Sequence, residues 1–159
     1  MGKNILFVCT GNTCRSSMAQ AIAFKLIAEN MDKYKNLWVA SAGTYALDGG
    51  LATEQAIIVS EEAGIDLKAH RTRALTLELI EAADIILTMT NRHKEHILQL
   101  APEAEGKVFL LKEYSSGENL DIMDPFGGPV EVYRACFQEL YQDIAKALEK
   151  MVKETNEKS

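Results

Sequence analysis

The sequence predicts an α/β fold of the doubly wound kind, on three observations. Short apolar runs recur along the chain, segments with helical spacing separate them, and the first run leads straight into a turn of small polar residues. Strands that alternate with helices are joined by right-handed crossovers, so helices come to cover both faces of a parallel sheet. A chain of 159 residues suffices for one such unit. Residues 1–159 are therefore read as a single domain whose core needs no disulfide or structural metal.

Residues 4–9 (NILFVC) read as a short strand whose apolar run is too continuous for a half-exposed one, which suits a strand covered on both faces. Residues 15–30 follow with helical spacing, their apolar face carried by Met18, Ile22 and Leu26. Residues 36–43 (NLWVASAG) read as a second strand ending in small residues, and a helical pattern returns at 53–63 after Gly49-Gly50. The third and fourth strands are 83–89 (ADIILTM) and 107–111 (KVFLL), with helices at 76–82 and 91–100 between the later strands. The last helix is the clearest. Val132, Cys136, Leu140, Ile144, Leu148 and Val152 recur every four residues, and Pro129 suits the first turn. Residues 153–159 are polar and are expected to fray.

Hydrophobic residues make up 47% of the chain and charged residues 25%, ordinary values for a globular protein. The N-terminal apolar run is too short for a signal peptide or a membrane span. Leu6 stands where a myristoylation site needs Ser or Thr. The protein is thus expected in the cytoplasm, off the membrane, with its three cysteines reduced. A net charge of −6 argues against a nucleic-acid partner. The one basic cluster, His70-Arg71-Thr72-Arg73, is read either as a solvated loop or as part of a site.

The chemistry concentrates in residues 7–17, FVCTGNTCRSS. A loop that turns from a strand into a helix aims backbone N–H groups and a helix N-terminus at one point, which makes an anion cradle. Gly11 permits a positive φ, and Asn12 is the non-glycine residue that tolerates one best. Arg15 can close the cradle with a bidentate guanidinium fork, which suits phosphate oxygens. A thiol at its base feels the helix dipole, several amides and a cation, conditions that lower a cysteine pKa below about 8.5. Cys9 then reads as a nucleophile for phosphorus. A metal half-site at Cys9 and Cys14 lacks a second ligand pair, so no metal and no cofactor is expected.

"VCTGNTCRSSMAQ" resembles the phosphate-binding loop of the low-molecular-weight protein tyrosine phosphatases, which share the C-x5-R-S signature near the N-terminus. "SAGT" at 41–44, "HRTRAL" at 70–75, "ADIILTMT" at 83–90 and "DPFGG" at 124–128 are similar to segments of that family. The resemblance implies a three-layer domain with a four-stranded parallel sheet flanked by helices, and hydrolysis through a phosphocysteine. It implies that Asn12, Ser41 and His70 brace the loop, and that Ser16 hydrogen-bonds the Cys9 sulfur and helps it leave. Thr10, Gly11, Asn12, Thr13, Cys14 and Ser16 are expected to line the cradle and meet the substrate's phosphate. The family commonly has proline where this chain has Ser17, which bears on loop rigidity alone.

The leaving group needs a proton, and the phosphocysteine needs an activated water, so one carboxyl group can serve both steps. The segment DIMDPFGG offers Asp121 and Asp124. The resemblance places the acid at Asp124, of the Asp-Pro pair. Cys14 reads either as a small buried residue or as a partner that captures oxidised Cys9 in a disulfide.

Thr13, Phe126 and the loop after Ser41 would meet the substrate beyond its phosphate. Thr13 is small and polar where many tyrosine phosphatases of the family have an aliphatic residue. With DPFGG, LTLELIEAADIILTMT and FLLKEY, the chain is similar to the bacterial protein arginine phosphatase branch. Phosphoarginine on protein partners is the expected substrate, with phosphotyrosine as the alternative. An arsenate reductase would need further cysteines in mid-chain, and none lies between Cys14 and Cys136. A phosphoprotein-binding module would be expected to lack Cys9 or Asp124.

Overall fold

The computed structural model describes the backbone of residues 2–158 and the side chains of residues 2–156. Strand β1 (Lys3–Cys9) has β2 (Leu37–Gly43) on one side and β3 (Ile85–Thr88) on the other, with β4 (Val108–Leu110) beyond β3. All the pairings are parallel; Cys9 stands opposite Gly43, and Val8 opposite Thr88. The chain winds outward from β1 to β2, then crosses over for β3 and β4. That leaves a switch point beside the carboxyl end of β1, where open α/β sheets bind ligands.

Side chains alternate across β1. Ile5, Phe7 and Cys9 share one core layer with residues of α1 (Arg15–Glu29), α2 (Glu54–Glu62), α5 (Leu111–Ser116) and α6 (Val130–Lys158). Leu6 and Val8 share the other with residues of α3 (Leu77–Ala82), α4 (Asn91–Leu100) and the 3₁₀ turn Pro102–Lys107. Residues Ile5 to Cys9 are all buried, as their unbroken apolar run requires. Burying each large side chain contributes about 1.5–3 kcal/mol, so the strand that ends at the site is the best anchored of the sheet. The fold class is the one read from the sequence: a four-stranded parallel sheet between two helical layers.

Four details differ from the sequence reading. The fourth strand stops at Leu110, and Leu111 starts α5, because the Glu113 carboxylate accepts from the Leu110 N–H at 3.1 Å. The 3₁₀ turn before β4 was also not foreseen. Residues 153–158 continue α6 instead of fraying. They are held by Thr155 Oγ1 donating to the Met151 carbonyl at 2.9 Å and by Tyr114 donating to Glu154 at 3.0 Å. Ser159 lies outside the described residues. Finally, Val132 is exposed, while Tyr133 beside it is buried in the core. Among the described residues no helix is long and apolar enough to cross a membrane.

The end of β2 is laid directly over the loop that leaves β1. Thr44 N–H donates to the Cys9 carbonyl at 2.9 Å and Tyr45 N–H to the Thr10 carbonyl at 3.0 Å. Such closeness requires a glycine at 43: a Cβ there would run into the Thr10 carbonyl oxygen and come within 2.9 Å of the Asn12 nitrogen. Both neighbours are backbone and cannot swing aside. Gly43→Ala should therefore cost about 1–3 kcal/mol of stability. Denaturant unfolding measures this, and an unchanged midpoint would mean that the two backbones are free to separate.

Candidate active site

Residues 10–14 form the turn between β1 and α1, with Cys14 as the N-cap of α1. Asn12 takes φ 58°, the left-handed conformation that the sequence suggested for this turn. Beyond the turn lies a cavity of about 180 Å³ lined by Cys9, Thr10, Gly11, Thr13, Cys14, Arg15, Asp124 and Phe126. Asn12, Ser16, Ser41 and His70 do not line it; they stand behind the loop and are bonded to it or to one another. The structure therefore divides the candidate residues into a lining and a brace.

The brace centres on Asn12, whose side chain is fully buried. Its amide nitrogen donates to Ser16 Oγ at 2.7 Å and to Ser41 Oγ at 2.9 Å. Its side-chain oxygen accepts from the Arg73 N–H at 2.9 Å, which fixes the orientation of the amide. Because Asn12 donates to Ser16, the Ser16 hydroxyl proton is left for the Cys9 sulfur, 2.9 Å away, or for the Ala42 carbonyl at 3.4 Å. Ser41 in turn donates to Gln20 Oε1. His70 lies in the loop of the basic cluster and donates from Nε2 to the Asn12 carbonyl at 2.8 Å. Burial lowers the His70 pKa from its ordinary value, although the bond to Asn12 opposes that shift.

Arg15 is 3% exposed. One terminal nitrogen donates to the Ile122 carbonyl at 2.9 Å and the other faces Asp124 Oδ2 at 3.5 Å. Its Nε is buried with no partner among the described residues, a donor that a phosphate oxygen could satisfy. Ile122 thereby ties the guanidinium to the segment that carries the carboxylate.

Asp124 starts a turn: its Oδ1 accepts from the Phe126 N–H at 3.0 Å, Gly128 N–H donates to the Pro125 carbonyl at 2.9 Å, and Gly127 has φ 85°. That left-handed value is the one a type II turn demands at its third residue. The same carboxylate, with a half-exposed side chain, faces Arg15 and accepts from the Cys14 thiol at 3.7 Å. Asp121, the other carboxylate of the segment, instead accepts from the Asn91 N–H at the start of α4. Cys14 is buried, and burial, with Cys9 and Asp124 adding to it, pushes its pKa up to about 12. All three thiols are free.

His93 was not foreseen. It is buried in the first turn of α4, with Nδ1 accepting from the Thr90 N–H at 3.2 Å and Nε2 facing Thr10 Oγ1 at 2.9 Å. A ring that accepts at Nδ1 must carry its proton on Nε2, so it donates to Thr10 and leaves the threonine proton free to serve the cavity. Burial foremost, then the Arg15 charge, lowers the His93 pKa to about 4. Its sequence signal was the Thr90-x-x-His93 spacing, a capping pair whose ring reaches back to the loop only once β1 and β3 are neighbours.

The chain belongs to the family described as "Low molecular weight phosphotyrosine protein phosphatase", which it matches over residues 4–158. It is 46% identical over 151 residues to a "Protein-arginine-phosphatase" of Geobacillus stearothermophilus, covering 95% of this chain and 97% of that protein. Among solved structures, "YwlE arginine phosphatase from Geobacillus stearothermophilus" superposes with a TM-score of 0.89 at 44% identity, over 98% of this chain and 96% of that one. A cysteine-to-serine variant of YwlE arginine phosphatase, described as having a phosphorylated active site serine, gives a TM-score of 0.86 at 41% identity, over 93% and 95%.

The His93 geometry has a measurable consequence. Unfolded, the ring titrates near its ordinary 6.5; folded, it stays neutral down to about 4. As pH falls through that window the unfolded chain takes up a proton that the folded one refuses, so stability drops. His93→Gln should be less stable than wild type at neutral pH but lose less between pH 7 and about 4.5. The gap should narrow by about 1–3 kcal/mol. Unfolding curves at both pH values measure it, and parallel losses in the two proteins would contradict the assignment.

Proposed function

We propose that the protein is a cysteine-dependent protein phosphatase that removes the phosphoryl group from arginine residues of protein substrates. The observation that carries this reading is the convergence of the Cys9 sulfur, the Arg15 guanidinium and the Asp124 carboxylate on one small cavity at the N-terminus of α1. Its relatives named arginine phosphatases support the choice of phosphorylated residue.

In the proposed reaction the phosphoryl group sits in the loop of residues 10–14, its oxygens held by the helix N-terminus and by Arg15. Cys9 attacks phosphorus, and the bond from phosphorus to the guanidine nitrogen breaks. Asp124 gives that nitrogen a proton, so the guanidine leaves neutral and reprotonates in water. The phosphocysteine is then opened by a water whose proton returns to Asp124, releasing phosphate and the Cys9 thiolate. Ser16, at 2.9 Å from the sulfur, donates to it as it departs. Asn12, Ser41 and His70 hold the loop in place for both steps. A cytoplasmic setting, where reducing conditions keep the Cys9 thiol available, suits this chemistry.

Thr13 is the residue on which substrate choice turns. It is half-buried in the wall of the cavity, with its carbonyl anchored by the Thr53 N–H at 2.9 Å. A phosphoguanidine is flat and polar up to the phosphorus, and a hydroxyl beside it can hydrogen-bond directly or through a water. An isoleucine would offer apolar surface that suits a phenyl ring instead. Losing a hydrogen bond to a buried polar group costs about 1–3 kcal/mol. In Thr13→Ile the ratio of kcat/KM for phosphoarginine over phosphotyrosine peptides should therefore fall at least about tenfold. A wild-type enzyme that prefers phosphotyrosine, or a ratio unmoved by the substitution, would overturn the arginine reading in favour of tyrosine.

A further inference from the structure

A second crevice, of about 350 Å³, opens on the other side of Asp124. It shares Thr10, Arg15 and Asp124 with the cavity above Cys9, and its outer wall carries Asp121, Met123 and Arg92. The two spaces are thus adjoining compartments of one mouth.

Of the two arginines in this compartment, only Arg92 lacks an ionic partner among the described residues. Arg15 faces Asp124, and Asp121 accepts from the Asn91 N–H at 2.8 Å. His93 is neutral, because burial foremost lowers its pKa to about 4. Arg92 is exposed and makes no hydrogen bond or ion pair among the described residues. Its neighbours one turn along α4 are engaged elsewhere: Glu95 accepts from Asn91 Nδ2 at 3.0 Å, and the His96 ring packs against Tyr45 with centroids 5.7 Å apart. Arg92 also stands in the first turn of α4, where the helix dipole favours anions and disfavours a cation. A cation in a locally unfavourable place, unpaired, at the mouth of a site for modified proteins needs a reason outside the fold.

We infer that Arg92 is a specificity residue that selects substrates with an acidic side chain beside the phosphorylated residue. The inference rests on the reading of the protein as a protein phosphatase. A substrate chain whose modified residue enters the cavity above Cys9 must continue past Asp124. There the one cation without an ionic partner among the described residues is the Arg92 guanidinium, on the same wall as the Asp121 carboxylate, and a neighbouring Asp or Glu that reaches it gains an ion pair, whereas Lys or Arg is repelled. The net charge of −6 disfavours acidic substrates at long range, so the preference is a local one.

The test uses phosphoarginine peptides that differ only in carrying Glu, Gln or Lys at positions flanking the modified residue. They are assayed with wild type, Arg92→Gln, Arg92→Lys and Arg92→Glu, and p-nitrophenyl phosphate serves as a control without flanking residues. Wild type should prefer Glu over Gln by about two- to fivefold in kcat/KM at low salt, and the ratio should shrink towards unity as salt rises. Arg92→Gln should erase the preference, Arg92→Lys retain it in part, and Arg92→Glu transfer it to the Lys peptide. Turnover of p-nitrophenyl phosphate should be the same in all four proteins. A wild type indifferent to the flanking charge, or a preference that persists in Arg92→Gln, would overturn the inference. If phosphotyrosine peptides proved to be the substrates, the arginine reading would fail by itself, and the same Glu, Gln and Lys comparison in that series would still decide the role of Arg92.

Discussion

The buried side-chain amide of Asn12 bonds to Ser16, to Ser41 and to the backbone of Arg73, and through these contacts three separate segments fix the shape of one loop. The constraint is severe because it combines two costs. A non-glycine residue held at φ 58° is an uncommon conformer, and a buried amide left unpaired costs about 1–3 kcal/mol. Only the complete set of bonds offsets both. The carbonyl of the same residue accepts from His70, so side chain and backbone are tied at one point. The proposed chemistry follows from this geometry: the amide that Arg73 orients donates to Ser16 and leaves its hydroxyl proton for the Cys9 sulfur.

A second tie runs from the loop to the far side of the cavity. Arg15 is the first residue of α1 and reaches both Ile122 and Asp124, so the anion-binding group and the proposed acid are positioned by one side chain. Asp124 is also the start of a turn, which holds its carboxylate facing back over Cys14 and Arg15. Its structural and proposed chemical roles use the same oxygens. Removal of the acid would accordingly loosen the turn as well as withdraw a proton donor, and the two effects need separate readouts.

Much of this was legible in the sequence. A short unbroken apolar run suits a strand covered on both faces, and a glycine, an asparagine and an arginine closely following it suit a turn that holds an anion. The lining residues from Cys9 to Arg15 sit within one short segment, so spacing alone brings them together. Gln20, His93 and the backbone of Arg73 and Ile122 were not legible, because each reaches the loop from another segment through a contact that exists only after folding. The last helix is where the sequence placed it, but its apolar stripe departs at Val132 for a geometric reason. A four-residue repeat advances about 40° around an α-helix at each step. A stripe from Val132 to Val152 therefore cannot face the core throughout, and its start turns to solvent while Tyr133 takes the inner position. At Leu111 the continuous apolar run concealed a change from strand to helix, signalled only by Glu113 two residues on.

In the proposed reaction the phosphoryl group passes through the Cys9 sulfur, and Asp124 governs its release. In Asp124→Asn, an aryl phosphate with a good leaving group can still phosphorylate Cys9, whereas attack of water is slowed. Rapid acid quenching of this variant with p-nitrophenyl phosphate, followed by mass spectrometry of the loop peptide, reads the intermediate directly. A burst of p-nitrophenol equal to the enzyme present and a phosphoryl group on Cys9 are expected. A steady release with no burst, or a phosphoryl group on any other residue, would contradict it.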